Sequence, residues 1–120
     1  MKIIRITDDI YRARIFIIPS FSNPSELVKY FRNSFDHKYK HEPGFDAMYY
    51  PFKSKSIRQH FLLFENFDNS ARGISNFNHE LGHLVYGIME YVGIKYCDQS
   101  EEAFTYYTGY LTEKILEKFI

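Results

Sequence analysis

Two histidines four residues apart, with a glutamate directly after the first, are the residues of this chain best suited to chemistry: His79-Glu80-Leu81-Gly82-His83. On a helix, positions i and i+4 share a face, so both imidazoles can reach one ion. Zinc accepts such nitrogen ligands and leaves a position open for chemistry when the protein supplies only three ligands. Glu80 is rotated from His79 by about 100°. That puts its carboxylate beside the ion rather than on it, where it can take the proton of a metal-activated water as the water attacks a carbonyl. The spacing therefore assigns His79 and His83 as metal ligands and Glu80 as catalytic base. The motif is in phase with an apolar stripe, Phe77, Leu81, Leu84, Val85, Ile88 and Val92. Polar groups so close to a core-facing stripe need partners, which a metal provides.

A third protein ligand is required. A histidine six residues after the second motif histidine, with a glycine at the third, is one known solution. Here those positions hold Met89 and Tyr86, so that arrangement is excluded. The other is a glutamate from the next helix, and Glu101 and Glu102 stand at its start. Glu101 shares a helical face with Thr105, Thr108 and Thr112, and Asp98-Gln99-Ser100-Glu101 fits a capping box. Glu102 shares a face with Tyr106 and Gly109, and a glycine there would let the metal helix approach closely. The expectation is Glu102 as ligand and Glu101 as cap. Tyr86 and Tyr106 are candidates to polarise a substrate carbonyl as phenol donors, Tyr106 being the catalytic candidate. His37 and His41 also stand four apart, but among Lys38, Lys40 and Pro43-Gly44, which reads as a solvated loop. His60 reads as a strand-end histidine, with a place at the cleft as the alternative.

The elements that must hold these residues follow from periodicity. Residues 2–8 and 10–18 are Ile-rich and read as two strands around a tight turn at Asp8-Asp9. Leu27, Val28, Phe31 and Phe35 recur at helical spacing behind Asn23-Pro24, predicting a helix over 24–35. Residues 36–45 read as a loop, 46–52 and 59–66 as strands, and 66–73 as a turn. The metal helix runs from about Ser75 to a C-terminal glycine, Gly93, and a last helix covers about 99–118. The expected class is α+β: a small, mostly antiparallel sheet with an N-terminal helix and two C-terminal helices, all in one domain, 1–120.

Composition bounds the setting. The 120 residues are 45% hydrophobic, 25% charged and 19% aromatic, with 12 Phe and 11 Tyr. These are values of a globular protein with large rings to bury. Lys plus Arg balance Asp plus Glu at 15 each. A neutral chain has no general attraction to nucleic acid or anionic membrane, and Lys53, Lys55 and Arg58 read as a solvated loop. The single cysteine, Cys97, excludes an intrachain disulfide and Cys-rich zinc sites. Charge interrupts Met1-Lys2-Ile3-Ile4-Arg5 too soon for a secretory signal. The expected location is intracellular.

The motif followed by Glu102-Ala103-Phe104-Thr105-Tyr106 resembles the zincin core of the ImmA/IrrE family, metallopeptidases linked to repressor cleavage, in which a Glu-Ala pair opens the ligand helix. The whole layout resembles more closely the short zincin-like proteins of tailed bacteriophages. It shares their motif helix ending in Tyr91-Val92-Gly93-Ile94, then Glu101-Glu102-Ala103 and Tyr106 or Tyr107. The resemblance covers residues 57–118, and the N-terminal half in outline. It implies zinc held by His79, His83 and Glu102, Glu80 as base, a protein or peptide substrate, and a bacterial or phage-infected host cytoplasm or a virion. Two departures stand out. No Asp follows Glu102 four residues on, and the further His or Leu-Met-Pro segment usual in ImmA/IrrE proteins is missing. Substrate identity therefore does not carry over. The alternative function is a zincin-shaped structural or interaction protein, a virion or host-takeover component, with a non-catalytic zinc.

Overall fold

A computed structural model describes residues 1–119. The elements are β1 (Ile4–Thr7), β2 (Arg14–Ile18), α1 (Pro24–Phe35), β3 (Ala47–Ser54), β4 (Ile57–Phe64), α2 (Ala71–Tyr91) and α3 (Glu101–Leu116). The strands form one sheet in the order β1-β2-β4-β3. Its outer pairs are antiparallel and the central β2–β4 pair is parallel. The α+β class expected from sequence is the one observed.

Alternation along the strands sorts two cores. Ile4, Ile6, Ile15, Ile17, Leu62 and Phe64 face α2 and α3. Phe16, Ile18, Phe61, Leu63 and Phe52 face α1 through Leu27 and Phe31. The central strands are covered on both faces, which explains their unbroken apolar runs. The helix at 24–35 forms as expected. Asn23 accepts the N–H of Ser25 at 3.0 Å, and Pro24 opens the helix where no N–H is needed.

Boundaries differ from expectation where side chains capture backbone. The second strand starts at Arg14, not residue 10, because the buried Asp8 carboxylate accepts the N–H groups of Ile10, Tyr11 and Ala13 at 3.0, 2.6 and 2.6 Å. Three charge-assisted bonds hold 10–13 out of the ladder as a wide turn. The helix that carries the His79–His83 motif begins at Ala71, one turn before Ser75, since the Ser70 hydroxyl accepts the N–H of Gly73 at 3.0 Å. Gly93 closes it with φ +88°, and Ile94 N–H returns to the Met89 carbonyl at 2.8 Å. At α3 the capping box does not form. Ser100 makes no side-chain cap, its hydroxyl donating instead to the Lys95 carbonyl and accepting from Cys97 N–H. No described helix is long and apolar enough to cross a membrane.

Candidate metal centre

α2 buries Phe77, Leu81, Leu84, Val85, Ile88 and Met89 against the sheet. The motif histidines stand on the flank of that stripe and are exposed. Their Nε2 atoms lie 3.3 Å apart, with the ring planes at 77°. Two atoms each about 2.05 Å from a tetrahedral zinc ion are about 3.3 Å apart. The imidazole pair thus has the separation that zinc requires, and the donor set is chemically suited to it.

Glu80 completes a group whose donor atoms all lie within 4.8 Å of one another. Its two oxygens are differently placed. Oε1 accepts the backbone N–H of Tyr49 at 2.6 Å, and Oε2 lies 3.6 Å from His79 Nε2. The carboxylate is 12% exposed, against 70% for His79. One oxygen is anchored to the sheet, and the other faces the imidazoles.

Tyr49 belongs to β3, one of the sheet's two edge strands. Its N–H points to α2, away from β4. By the period of two, the nitrogen of Pro51 faces the same unpaired side, where a missing N–H costs no ladder bond. The Tyr49 side chain goes down between sheet and helix. Its hydroxyl hydrogen-bonds His60 Nδ1 at 2.7 Å, and its ring lies against Gly87 of α2. A Cβ on Gly87 would stand 2.3 Å from that hydroxyl. Sequence reasoning missed Tyr49. The available signal was Gly87, in helical phase with Glu80 and His83 on the motif helix.

The other sequence candidates are placed as follows. Glu102, in the first turn of α3, is exposed and does not join the His79–Glu80–His83 group among the described residues. Gly109 has open space where a Cβ would stand, so the close helix approach expected there is absent, and the close approach on the motif helix is that of Tyr49 to Gly87. Tyr106 is 66% exposed. Tyr86 packs against Phe104 and Tyr96, with centroids 5.0 and 5.9 Å away, and so links α2 to α3. His37 and His41 are not a ligand pair. His37 Nε2 bonds the Tyr50 hydroxyl at 2.6 Å and stacks on Phe52, while His41 Nδ1 bonds the Tyr39 hydroxyl at 3.0 Å. Neither is simply solvated, because the loop folds back onto the aromatic core around α1.

His60 is 1% exposed, neither a cleft residue nor a frayed strand end. Burial, helped by the nearby Arg58 and opposed by Asp8, pushes its pKa down to about 4. Burial likewise raises the Tyr49 hydroxyl to about 12, so the pair is neutral through the physiological range. An unfolded histidine titrates near ~6.5. Between pH 6.5 and 4 the unfolded chain therefore binds a proton that the folded chain refuses. Stability falls as pH falls through that window, by about 1.4 kcal/mol per unit and about 3 kcal/mol in all, and the loss levels off once the folded ring protonates. Denaturant unfolding at a series of pH values should show this slope. His60→Gln should flatten it, leaving the smaller same-sign contribution of His37, whose pKa burial also lowers. An unchanged slope in the variant would contradict a buried neutral His60.

No family model, no curated protein and no solved structure matches the chain.

Proposed function

We propose that the chain is a zinc-dependent metallopeptidase-like hydrolase acting on a protein or peptide. The observation that carries this reading is the divided carboxylate of Glu80, with Oε1 held by the edge strand and Oε2 free beside two imidazoles at zinc-ligand separation. A carboxylate that only braced the fold would have no need of a free oxygen facing the histidines.

In this reading His79 and His83 hold the metal, and Glu102 is the proposed third protein ligand. Bound zinc would supply a Lewis acid that acidifies water and polarises a carbonyl. Glu80 Oε2 accepts the proton released as water attacks the peptide carbonyl, then delivers it to the departing amine nitrogen. The Tyr49 amide keeps that carboxylate from rotating away between the two transfers. Tyr106 is the proposed donor to the carbonyl oxygen.

Elemental analysis after dialysis should find about one zinc per chain, the stoichiometry of a single His/His/Glu site. His79→Ala and His83→Ala should lose it, and Glu102→Gln should weaken it. Zinc-loaded protein should cleave an unstructured substrate such as casein, and chelation should stop cleavage. Full zinc retention by all three variants would overturn the metal assignment. Stoichiometric zinc with no cleavage of any peptide library would overturn the catalytic one.

A further inference from the structure

On the opposite side of the sheet, away from the motif helix, two arginines share a recess of about 480 Å³. Thr7 stands opposite Arg14 and Arg5 opposite Phe16 in the β1–β2 ladder. Period-two alternation then puts Arg5, Thr7, Arg14 and Phe16 on one face, the arginines as diagonal neighbours. Neither guanidinium has a carboxylate within 4.0 Å among the described residues, whose ion pairs are Arg72–Asp46 and His79–Glu80. Both arginines are exposed, and the repulsion between two like charges on neighbouring strands would be eased by a bound anion. From α1, Tyr30 and Ser34 form the opposite wall. The Tyr30 hydroxyl is buried beside Arg5 and Ser34 and makes no hydrogen bond of good geometry with either. A buried hydroxyl left unpaired costs free energy that a ligand acceptor would recover.

We infer that this recess is a binding site for a phosphate monoester, with Arg5 and Arg14 taking the dianionic phosphate and the Tyr30 hydroxyl donating to one of its oxygens. Two guanidinium forks without internal partners match two negative charges and several acceptor oxygens. The recess is much larger than an inorganic ion and has the volume of a small-molecule site. Phe16 and Phe35 line it beyond the arginines. These features favour an organic monoester over free phosphate. The inference uses no residue of the proposed metal centre and does not depend on that reading.

The test is a titration followed by NMR of the backbone amides and arginine Nε–H groups, with phenyl phosphate, inorganic phosphate and acetate at constant ionic strength. Phenyl phosphate should give saturable shifts at Arg5, Arg14 and Tyr30, with inorganic phosphate about tenfold weaker and acetate weaker still. Arg5→Gln and Arg14→Gln should each weaken phenyl phosphate by about tenfold or more. Tyr30→Phe should weaken it less. All three should keep the wild-type amide spectrum elsewhere and the wild-type zinc content. Inorganic phosphate binding as tightly as the monoester would overturn the organic-ligand assignment. No saturable shift, or shifts that persist in an Arg5→Gln/Arg14→Gln double variant, would overturn the site.

Discussion

Glu80→Gln should retain zinc and stability while lowering peptide hydrolysis by at least about 100-fold, the usual loss on removing a general base. The glutamine is expected to keep the fold because its side-chain carbonyl can still accept the Tyr49 N–H that Oε1 accepts at 2.6 Å. What it cannot do is take a proton through the group replacing Oε2. Glu80→Ala separates the two functions. It removes the anchor as well as the base, leaves the Tyr49 N–H without that partner, and should cost about 1–3 kcal/mol of stability in addition. Zinc content, unfolding midpoint and hydrolysis rate measured on wild type and both variants distinguish these outcomes. Equal hydrolysis by wild type and Glu80→Gln would remove Glu80 from the reaction.

The His79–His83 motif was legible because its geometry is local. Four residues of helix fix the His79–His83 relation whatever the rest of the chain does, and the apolar stripe from Phe77 to Ile88 identifies the helix. Helix α1 was legible for the same reason, with Asn23 and Pro24 marking its start. Sheet order was not. The β2–β4 parallel pairing joins segments more than forty residues apart, and alternation states which face a residue takes but not which strand lies beside it. The turn at 8–13 was misjudged because Asp8 reads as an ordinary polar turn residue. Only burial turns its carboxylate into a receptor for three amides. The capping box from Asp98 to Glu101 fails because the helix starts only at Glu101, and the Ser100 hydroxyl at its N-cap accepts the N–H of Cys97 instead of one from the helix.

The same distinction explains how the site is held. Composition made the 11 tyrosines look interchangeable. Tyr49 differs because it serves two neighbours through two different atoms. Its amide fixes Glu80 and its hydroxyl bonds His60, so the edge strand is tied to α2 on one side and to β4 on the other. Edge strands are otherwise open to pairing with foreign chains. Here Glu80 occupies the Tyr49 amide and Pro51 has none, which removes two of the donors that such pairing would use. The arrangement that orients Glu80 also blunts the edge.

Three helical glycines make the tie between strand and helix measurable. Gly82 and Gly109 meet nothing within 4 Å of a built Cβ, whereas at Gly87 the Cβ would stand 2.3 Å from the Tyr49 hydroxyl and 2.9 Å from its ring. Gly82→Ala and Gly109→Ala should therefore stabilise the fold by about 0.5–1 kcal/mol each, the ordinary helix gain over glycine. Gly87→Ala should act in the opposite direction. The methyl must displace a buried ring, costing about 1–3 kcal/mol as overpacking. If the ring moves, His60 Nδ1 loses its partner inside the core, which adds about 1–3 kcal/mol. The displacement also reaches Glu80 of the proposed metal centre, because the Tyr49 amide moves with its side chain. Hydrolysis in Gly87→Ala should fall even at temperatures where the variant is fully folded, with zinc content unchanged. Tyr49→Phe offers the control. It removes the hydroxyl that the Gly87 Cβ would strike and should recover part of the loss when combined with Gly87→Ala. Denaturant unfolding of the four single variants and the double variant gives the coupling directly. A Gly87→Ala protein as stable as Gly82→Ala, or a double variant no better than the sum of its parts, would mean that Tyr49 does not pack against α2 in this way.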